Sequence, residues 1–421
     1  MQYPTLDRRH FIVALGATTA AAFLPGIDAQ AADAPAPRPV PAGMPLPDAA
    51  TLHFHGDDAA VVTWGFKHRV CTGCVEYGET EKLGKVAKIG RFGMSQFDEE
   101  VLAVPLRNLI PGKTVFYRTL TVPLEFGPGV YMHKIKRGEA IASPVRSFAV
   151  PAKDADTLKI GMWNDTHMQE KTVDALRAAT AKFAPDCVVL NGDINDFNQA
   201  EALSNACLRP TGGGIAMPDW PMVYARGNHD LRGFFARNLP KYMPPQAHDG
   251  YYGLLRLGPV AMLVLDTGED GKEREDYGRM TECQDYRIMQ QAWLEKAVED
   301  PRFTSAPFRL LFCHIPLRWG NMGATGEYSP WSAELWTPAL AKGRVQAVFS
   351  GHTHAFWHSQ PTAAQPFHQI VGGGPETRST GWSPTPATLT EITATRQALR
   401  ISVAEAVSGK EHLTLALNPL A

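Results

Sequence analysis

Apolar and polar positions change rhythm along the chain, and each rhythm predicts different elements. From about residue 50 to 150, short apolar runs alternate with polar turns. They give strands over Ala59–Trp64, Cys74–Tyr77, Val86–Ile89, Val101–Leu106, Thr114–Thr121 and Val145–Val150. Short β runs at this spacing predict a small all-β antiparallel sandwich. Beyond residue 152 the strands are largely apolar: Leu158–Trp163, Cys187–Leu190, Pro221–Ala225, Val260–Leu265, Phe308–Phe312 and Val345–Phe349. Between them, Lys171–Phe183, Cys283–Val298 and Leu335–Lys342 carry helical periodicity. Strands buried on both faces and alternating with helices make a layered α/β domain. Gln397–Ala404 and His412–Leu417 can pair as a closing hairpin.

The first residues follow another pattern. Arg8 and Arg9 precede a mild apolar run from Phe11 to Leu24, and Ala29-Gln30-Ala31 offers small residues for cleavage. That run is too short to span a hydrocarbon core of about 30 Å comfortably. Residues 1–31 are therefore expected to be an export signal, with no permanent membrane span. The paired arginine resembles a twin-arginine signal, which implies the twin-arginine export machinery as a partner and a periplasmic or secreted location. Six prolines between residues 32 and 48 predict an extended tether. The expected divisions are thus 1–31, 32–48, 49–152 and 153–421.

Composition narrows the functional classes. Lys and Arg total 41 and Asp and Glu 43, a formal charge of −2, so no basic face suited to nucleic acid is evident. Hydrophobic residues at 44% and charged residues at 20% are those of a globular protein, not a disordered one. Six cysteines in 421 residues make no disulfide framework. Cys71 and Cys74 lack the second pair that a structural zinc would need, which leaves a local disulfide or two free thiols at a turn.

The chemistry lies where the apolar strands end. Trp163 is followed by Asn164-Asp165-Thr166-His167, and Leu190 by Asn191-Gly192-Asp193-Ile194-Asn195-Asp196. Ala225 leads into Arg226-Gly227-Asn228-His229-Asp230, Cys313 into His314, and Ser350 into Gly351-His352-Thr353-His354. Ligands in α/β sheets bind outside the carboxyl ends of strands, so these five clusters should converge. Together they offer Asp165, Asp193, Asn228, His167, His314, His352 and His354. Mixed oxygen and imidazole donors suit first-row metals such as Fe, Zn or Mn, and are too imidazole-rich for calcium or magnesium. Seven side chains exceed one tetrahedral ion and suffice for two ions sharing a carboxylate.

This order of motifs resembles the calcineurin-like metallophosphoesterase superfamily over roughly residues 157 to 420. The resemblance implies a four-layer α/β/β/α domain with a dinuclear transition-metal centre. It implies that Asp165, His167 and His354 hold the first metal, that Asn228, His314 and His352 hold the second, and that Asp193 bridges them. His229 would be the general acid, with Asp230 fixing its orientation, and Asn228, His229 and Arg226 would meet the substrate. The implied reaction is hydrolysis of a phosphomonoester or phosphodiester by in-line attack of a metal-bound hydroxide. Imidazole suits the acid because it titrates near working pH. A rival reading is a cell-envelope binding protein whose metal centre is only a scaffold; an intact His229 separates the two, since a scaffold needs no acid.

Leu109-Ile110-Pro111-Gly112 with Tyr117-Arg118 resembles a fibronectin type III turn. The purple acid phosphatase branch pairs such a module with this catalytic fold. In that branch the first motif ends in Gly, and a Tyr ligand follows the bridging Asp by three. His167 and Asp196 stand at those places here, so no charge-transfer colour is expected. Around these motifs, Arg226 could instead form a salt bridge under its loop, and Asn195 and Asp196 are expected to hydrogen-bond the metal ligands. Residues 317–338 are expected to form a long loop carrying Trp319, Tyr328, Trp331 and Trp336, as a lid or packed on itself. Cys313 is read as core, and His53, His55 and His358 as surface or loop residues.

Overall fold

The computed structural model describes residues 50–66, 69–127, 135–247, 249–271, 277–320 and 329–420. The expected signal, the proline tether and Tyr328 lie outside the described residues. Two large sheets dominate. The first has nine strands in the order Glu411–Leu417, Leu399–Glu405, Thr388–Thr395, Thr157–Trp163, Cys187–Asn191, Met222–Ala225, Thr51–Phe54, Ala60–Gly65 and Val101–Leu106. The second has six, in the order Gly253–Leu257, Val260–Val264, Phe308–Phe312, Ala347–Ser350, His368–Val371 and Trp357–Ser359. The strands that carry the motifs run parallel to one another in each sheet.

Strict alternation along those strands sorts their side chains into layers. Ile160, Met162, Val189 and Val223 of the first sheet share one core with Met262, Val264, Leu310, Phe312 and Phe349 of the second. The opposite face of the first sheet, with Trp163, Leu190 and Tyr224, packs on helices Glu170–Phe183 and Ala200–Leu208. The opposite face of the second, with Leu263, Leu311 and Val348, packs on helices Cys283–Ala297 and Pro330–Lys342. The result is the expected α/β/β/α arrangement. Among the described residues no helix is long and apolar enough to cross a membrane.

The N-terminal region is all-β, but its strands do not keep to themselves. Thr51–Phe54 pairs in parallel with Met222–Ala225, so the first sheet runs across residue 152, where the sequence places a division. The long strand Thr114–Phe126 builds a separate sheet with Cys71–Gly78 and shorter strands. Cys71 and Cys74 lie on that strand rather than at a turn, and both thiols are free. Three residues of extended chain separate them by roughly 10 Å, beyond disulfide reach.

Other departures have local causes. Pro330 sits at the first turn of its helix, where its missing N–H is no loss. The helix therefore begins five residues earlier than Leu335 and takes Trp331 and Trp336 out of the expected loop. Trp336 is buried, and its Nε1 donates to the Arg287 carbonyl (3.2 Å). His53 is buried on a strand, and His358 lies on a strand stacked against His368. Cys313 is core, as expected.

Candidate metal centre

The five strand ends meet. His314 Nε2, from the second sheet, lies 3.1 Å from Asp193 Oδ2 and 3.8 Å from Asp165 Oδ1, both from the first. Asp165, His167, Asp193 and His354 offer donor atoms within 4.8 Å of one another, and Asp193, His314 and His352 form a second such group. Asp193 is common to both. Asn228 joins the second group through Oδ1, 3.0 Å from His352 Nδ1.

Hydrogen bonds fix which ring nitrogen each histidine presents. A carbonyl only accepts, so His314 Nδ1 donates to the Asn191 carbonyl (2.7 Å) and leaves Nε2 bare. That buried Nε2 makes no well-formed hydrogen bond and faces Asp193 Oδ2 at 3.1 Å, so the carboxylate draws positive charge to this point. His354 Nδ1 donates likewise to the Trp382 carbonyl (2.9 Å), turning its Nε2 toward Asp165 Oδ1 (3.4 Å) and His167 Nε2 (3.2 Å). His352 is turned the other way: its Nε2 meets Asp270 Oδ1 (3.1 Å), freeing Nδ1 to face Asn228. Carboxylate or carbonyl acceptors behind an imidazole are the usual means of orienting a metal ligand.

The backbone is strained at the same residues. Asp165, His167, Asp193, His352 and His354 have φ of 50°, 40°, 57°, 71° and 54°, left-handed values that side chains with a Cβ seldom adopt. Each costs about 1–3 kcal/mol and persists where the surrounding structure over-determines it. The motif glycines are required by close approach. A Cβ on Gly192 would lie 2.5 Å from His314 Nδ1, and one on Gly227 would lie 2.2 Å from Asp193 Oδ1.

The electrostatics match a cation site. Burial alone would raise the two carboxyls, yet the facing imidazoles, His314 foremost, hold Asp165 down at about 2 and Asp193 also well below the usual range. Burial likewise opposes charge on His314, but Asp193 and Asp165 outweigh it and push that imidazole up to about 10. Anionic carboxylates buried with inward-facing imidazole nitrogens are a donor set that fits two first-row transition ions.

Beside this set, the backbone N–H of His229 donates to Asp193 Oδ1 (2.9 Å), and its ring lies edge-on to His167 with centroids 4.6 Å apart. Asp196 Oδ1 meets His229 Nδ1 at 3.0 Å. The residue expected to orient the acid, Asp230, does something else. It is buried and accepts from the backbone N–H groups of Asp193 (3.1 Å), Ile194 (2.8 Å) and Gly227 (2.9 Å), and from the Tyr224 hydroxyl (2.7 Å). It clamps two motif loops together and leaves the ring to Asp196. Asn195 also stands off the ligands, its Nδ2 pointing to Met168 Sδ.

Arg226 requires a second correction. Its Nε lies 2.7 Å from buried Asp266 Oδ2, and its guanidinium sits over the rings of Tyr251 and Tyr286 (4.9 and 5.8 Å). A fully buried carboxylate needs that partner, so the arginine serves the ion pair instead of the substrate. The arginine that reaches the site is Arg232, whose Nη1 is 2.9 Å from His229 Nε2. Strand-end reasoning overlooked it together with Glu269, Asp270 and Trp382. Asp266-Thr267-Gly268-Glu269-Asp270 directly follows Leu265, so the rule that found the other clusters reaches this one as well.

Residues 158–356, which include all seven expected ligands, match the calcineurin-like phosphoesterase family. No curated protein matches the chain in sequence. The fold is similar to that of purple acid phosphatase PPD1 from yellow lupin seeds (TM-score 0.66, 15% identity, 89% of this chain and 74% of that one). It is also similar to PhoD (TM-score 0.53, 13% identity, 88% of each chain). This part of the chain is similar to calcineurin-like phosphoesterases.

Proposed function

We propose that this chain is a calcineurin-like metallophosphoesterase that hydrolyses phosphate esters with His229 as the acid, and that it works outside the cytoplasm after twin-arginine export. Asp193 carries this reading. Its Oδ2 stands among imidazoles of both donor groups (His314 at 3.1 Å, His167 at 3.6 Å), while its Oδ1 accepts the His229 backbone N–H (2.9 Å). One carboxylate thus joins two cation sites and positions the acid.

Asp165, His167 and His354 would hold one ion and Asn228, His314 and His352 the other, with Asp193 between. Two bound cations would clamp the phosphoryl oxygens and lower the pKa of water. The protein's own part is positioning. Asp196 holds the His229 ring through Nδ1, so that Nε2 is the nitrogen free to serve a leaving oxygen. Trp382, about half exposed, lies 5.4 Å from the rings of both His167 and His354 and walls the first donor group. The ligand set serves monoesters and diesters alike, and export rests on the Arg8-Arg9 segment alone.

The test is turnover of p-nitrophenyl phosphate and its bis ester by the metal-loaded protein. Chelation should abolish turnover and re-addition of Fe, Zn or Mn restore it. His229→Ala should keep both ions yet slow hydrolysis of an alkyl phosphate ester by ~10²–10⁴-fold, and of the nitrophenyl esters far less. A protein holding two ions that hydrolyses neither ester would overturn the reading.

A further inference from the structure

Arg232 follows the short helical turn His229–Leu231, and its guanidinium is divided between two tasks. Nε and Nη2 donate in parallel to Glu269 Oε2 (2.9 Å) and Oε1 (2.8 Å). Nη1 instead reaches His229 Nε2 at 2.9 Å. Glu269 is buried and also accepts from Asn228 Nδ2 (3.2 Å) and the Tyr277 hydroxyl (3.1 Å), so the arginine's base is fixed to a ligand of the second donor group. A bidentate carboxylate holds a guanidinium in one plane and one direction. The side chain keeps 21% of its surface open.

The pairing with His229 is informative. Nη1 is 2.9 Å from Nε2 and 3.4 Å from Nδ1, so the guanidinium lies against the ring's face and leaves the in-plane direction of Nε2 open for a proton, while Asp196 takes the Nδ1–H. The nitrogen read above as serving the leaving oxygen is thus already aligned with a fixed cation. An oxygen that hydrogen-bonds Nε2 in the ring plane lies beside this guanidinium, and Nη1 need only turn to meet it.

We propose that Arg232 is a catalytic residue whose Nη1 hydrogen-bonds the leaving oxygen of the ester beside His229, adapting the site to alkyl phosphate esters. The proposal rests on the phosphoesterase reading above. In the step, an oxygen of water bonds to phosphorus as the bond from phosphorus to the leaving oxygen breaks. The electron pair of that bond stays on the leaving oxygen, which takes the Nε2 proton of the doubly protonated His229 ring; the attacking water loses a proton to solvent, and Arg232 keeps its own protons and neutralises the developing charge. Such a fixed charged donor matters most where the leaving oxygen carries most charge, as in alkyl esters of sugars or glycerol, and least for nitrophenyl esters. Glu269 is a positioning residue here, since it acts only by aiming the guanidinium.

The test compares full-length, metal-loaded wild type, Arg232→Ala and Arg232→Lys on phosphate monoesters from p-nitrophenol through phenol to simple alcohols. Metal content and melting temperature are measured alongside. Arg232→Ala should keep both ions and lose ~10²–10³-fold in kcat on the alkyl esters. Its loss on the nitrophenyl ester should be roughly tenfold or less, steepening the dependence on leaving group. Arg232→Lys, which restores the charge, should recover part of the slope. Equal losses across the series, or a change confined to KM, would overturn the assignment while leaving phosphoesterase activity standing. A wild type that holds two ions and hydrolyses no member of the series would remove the phosphoesterase reading, and this inference with it.

Discussion

The two sheets contribute unlike halves of the centre. The first supplies the oxygen donors Asp165, Asp193 and Asn228 with one imidazole, His167. The second supplies only imidazoles, His314, His352 and His354. Each donor group draws on both sheets, so neither sheet holds an ion site alone. What brings them together is the apolar core between them, where Ile160, Met162 and Val189 share one cluster with Leu310, Phe312 and Phe349. Hydrophobic packing therefore sets the donor geometry, and ion binding in turn stabilises the packed state over the open one.

Asp193 is where this division is weakest, because one residue of the first sheet serves both groups. Asp193→Asn keeps the shape and removes the charge. Both ions should be lost and hydrolysis should fall below detection, with far-UV circular dichroism unchanged; metal analysis and turnover together check it. Retention of either ion would mean that the two groups do not depend on a shared carboxylate.

The uneven division also governs what could be read in advance. The apolar strands and the polar residues after them were legible, because burial on both faces leaves a continuous hydrophobic run and a sharp stop. Phe308–Phe312 has the bounds expected of it, and Asp165, His314 and His354 meet as their positions suggest. The edges of the sheets were not legible. Thr51–Phe54 is four residues long, and its partner Met222–Ala225 lies some 170 residues away. Side-chain partnerships were hidden for a related reason. Nothing in the local sequence tells that Asp230 bonds backbone N–H groups of another loop, or that Arg226 pairs with Asp266 and Arg232 with Glu269. Both arginines flank one motif, and only packing decides which reaches the site.

Loosening the core between the sheets tests whether packing sets the donor geometry. Phe349 is buried and stacked on Phe312 with ring centroids 5.0 Å apart. Phe349→Ala should cost about 3–5 kcal/mol of stability in the metal-free protein. Added metal should recover part of that loss while binding more weakly than to wild type. Denaturation with and without metal reads both effects. If stability falls while metal affinity holds, the centre does not depend on how the sheets pack.

The smallest effect should come from behind a ligand. Asp270 accepts from His352 Nε2 (3.1 Å), and that bond turns Nδ1 toward Asn228 and the second donor group. His314 and His354 are turned instead by backbone carbonyls, which no side-chain substitution removes. His352 is thus the second-sheet imidazole whose orientation hangs on a side chain. Asp270 is 42% exposed, so water can take its place in part. Asp270→Ala should then weaken the second ion roughly tenfold, the low end for such a support. The first ion, held by Asp165, His167 and His354, should bind as before. Stepwise metal titration followed by calorimetry separates the two ions. Equal weakening of both would show that Asp270 supports the whole centre, and no weakening would show that Asn228 and Asp193 orient His352 without it.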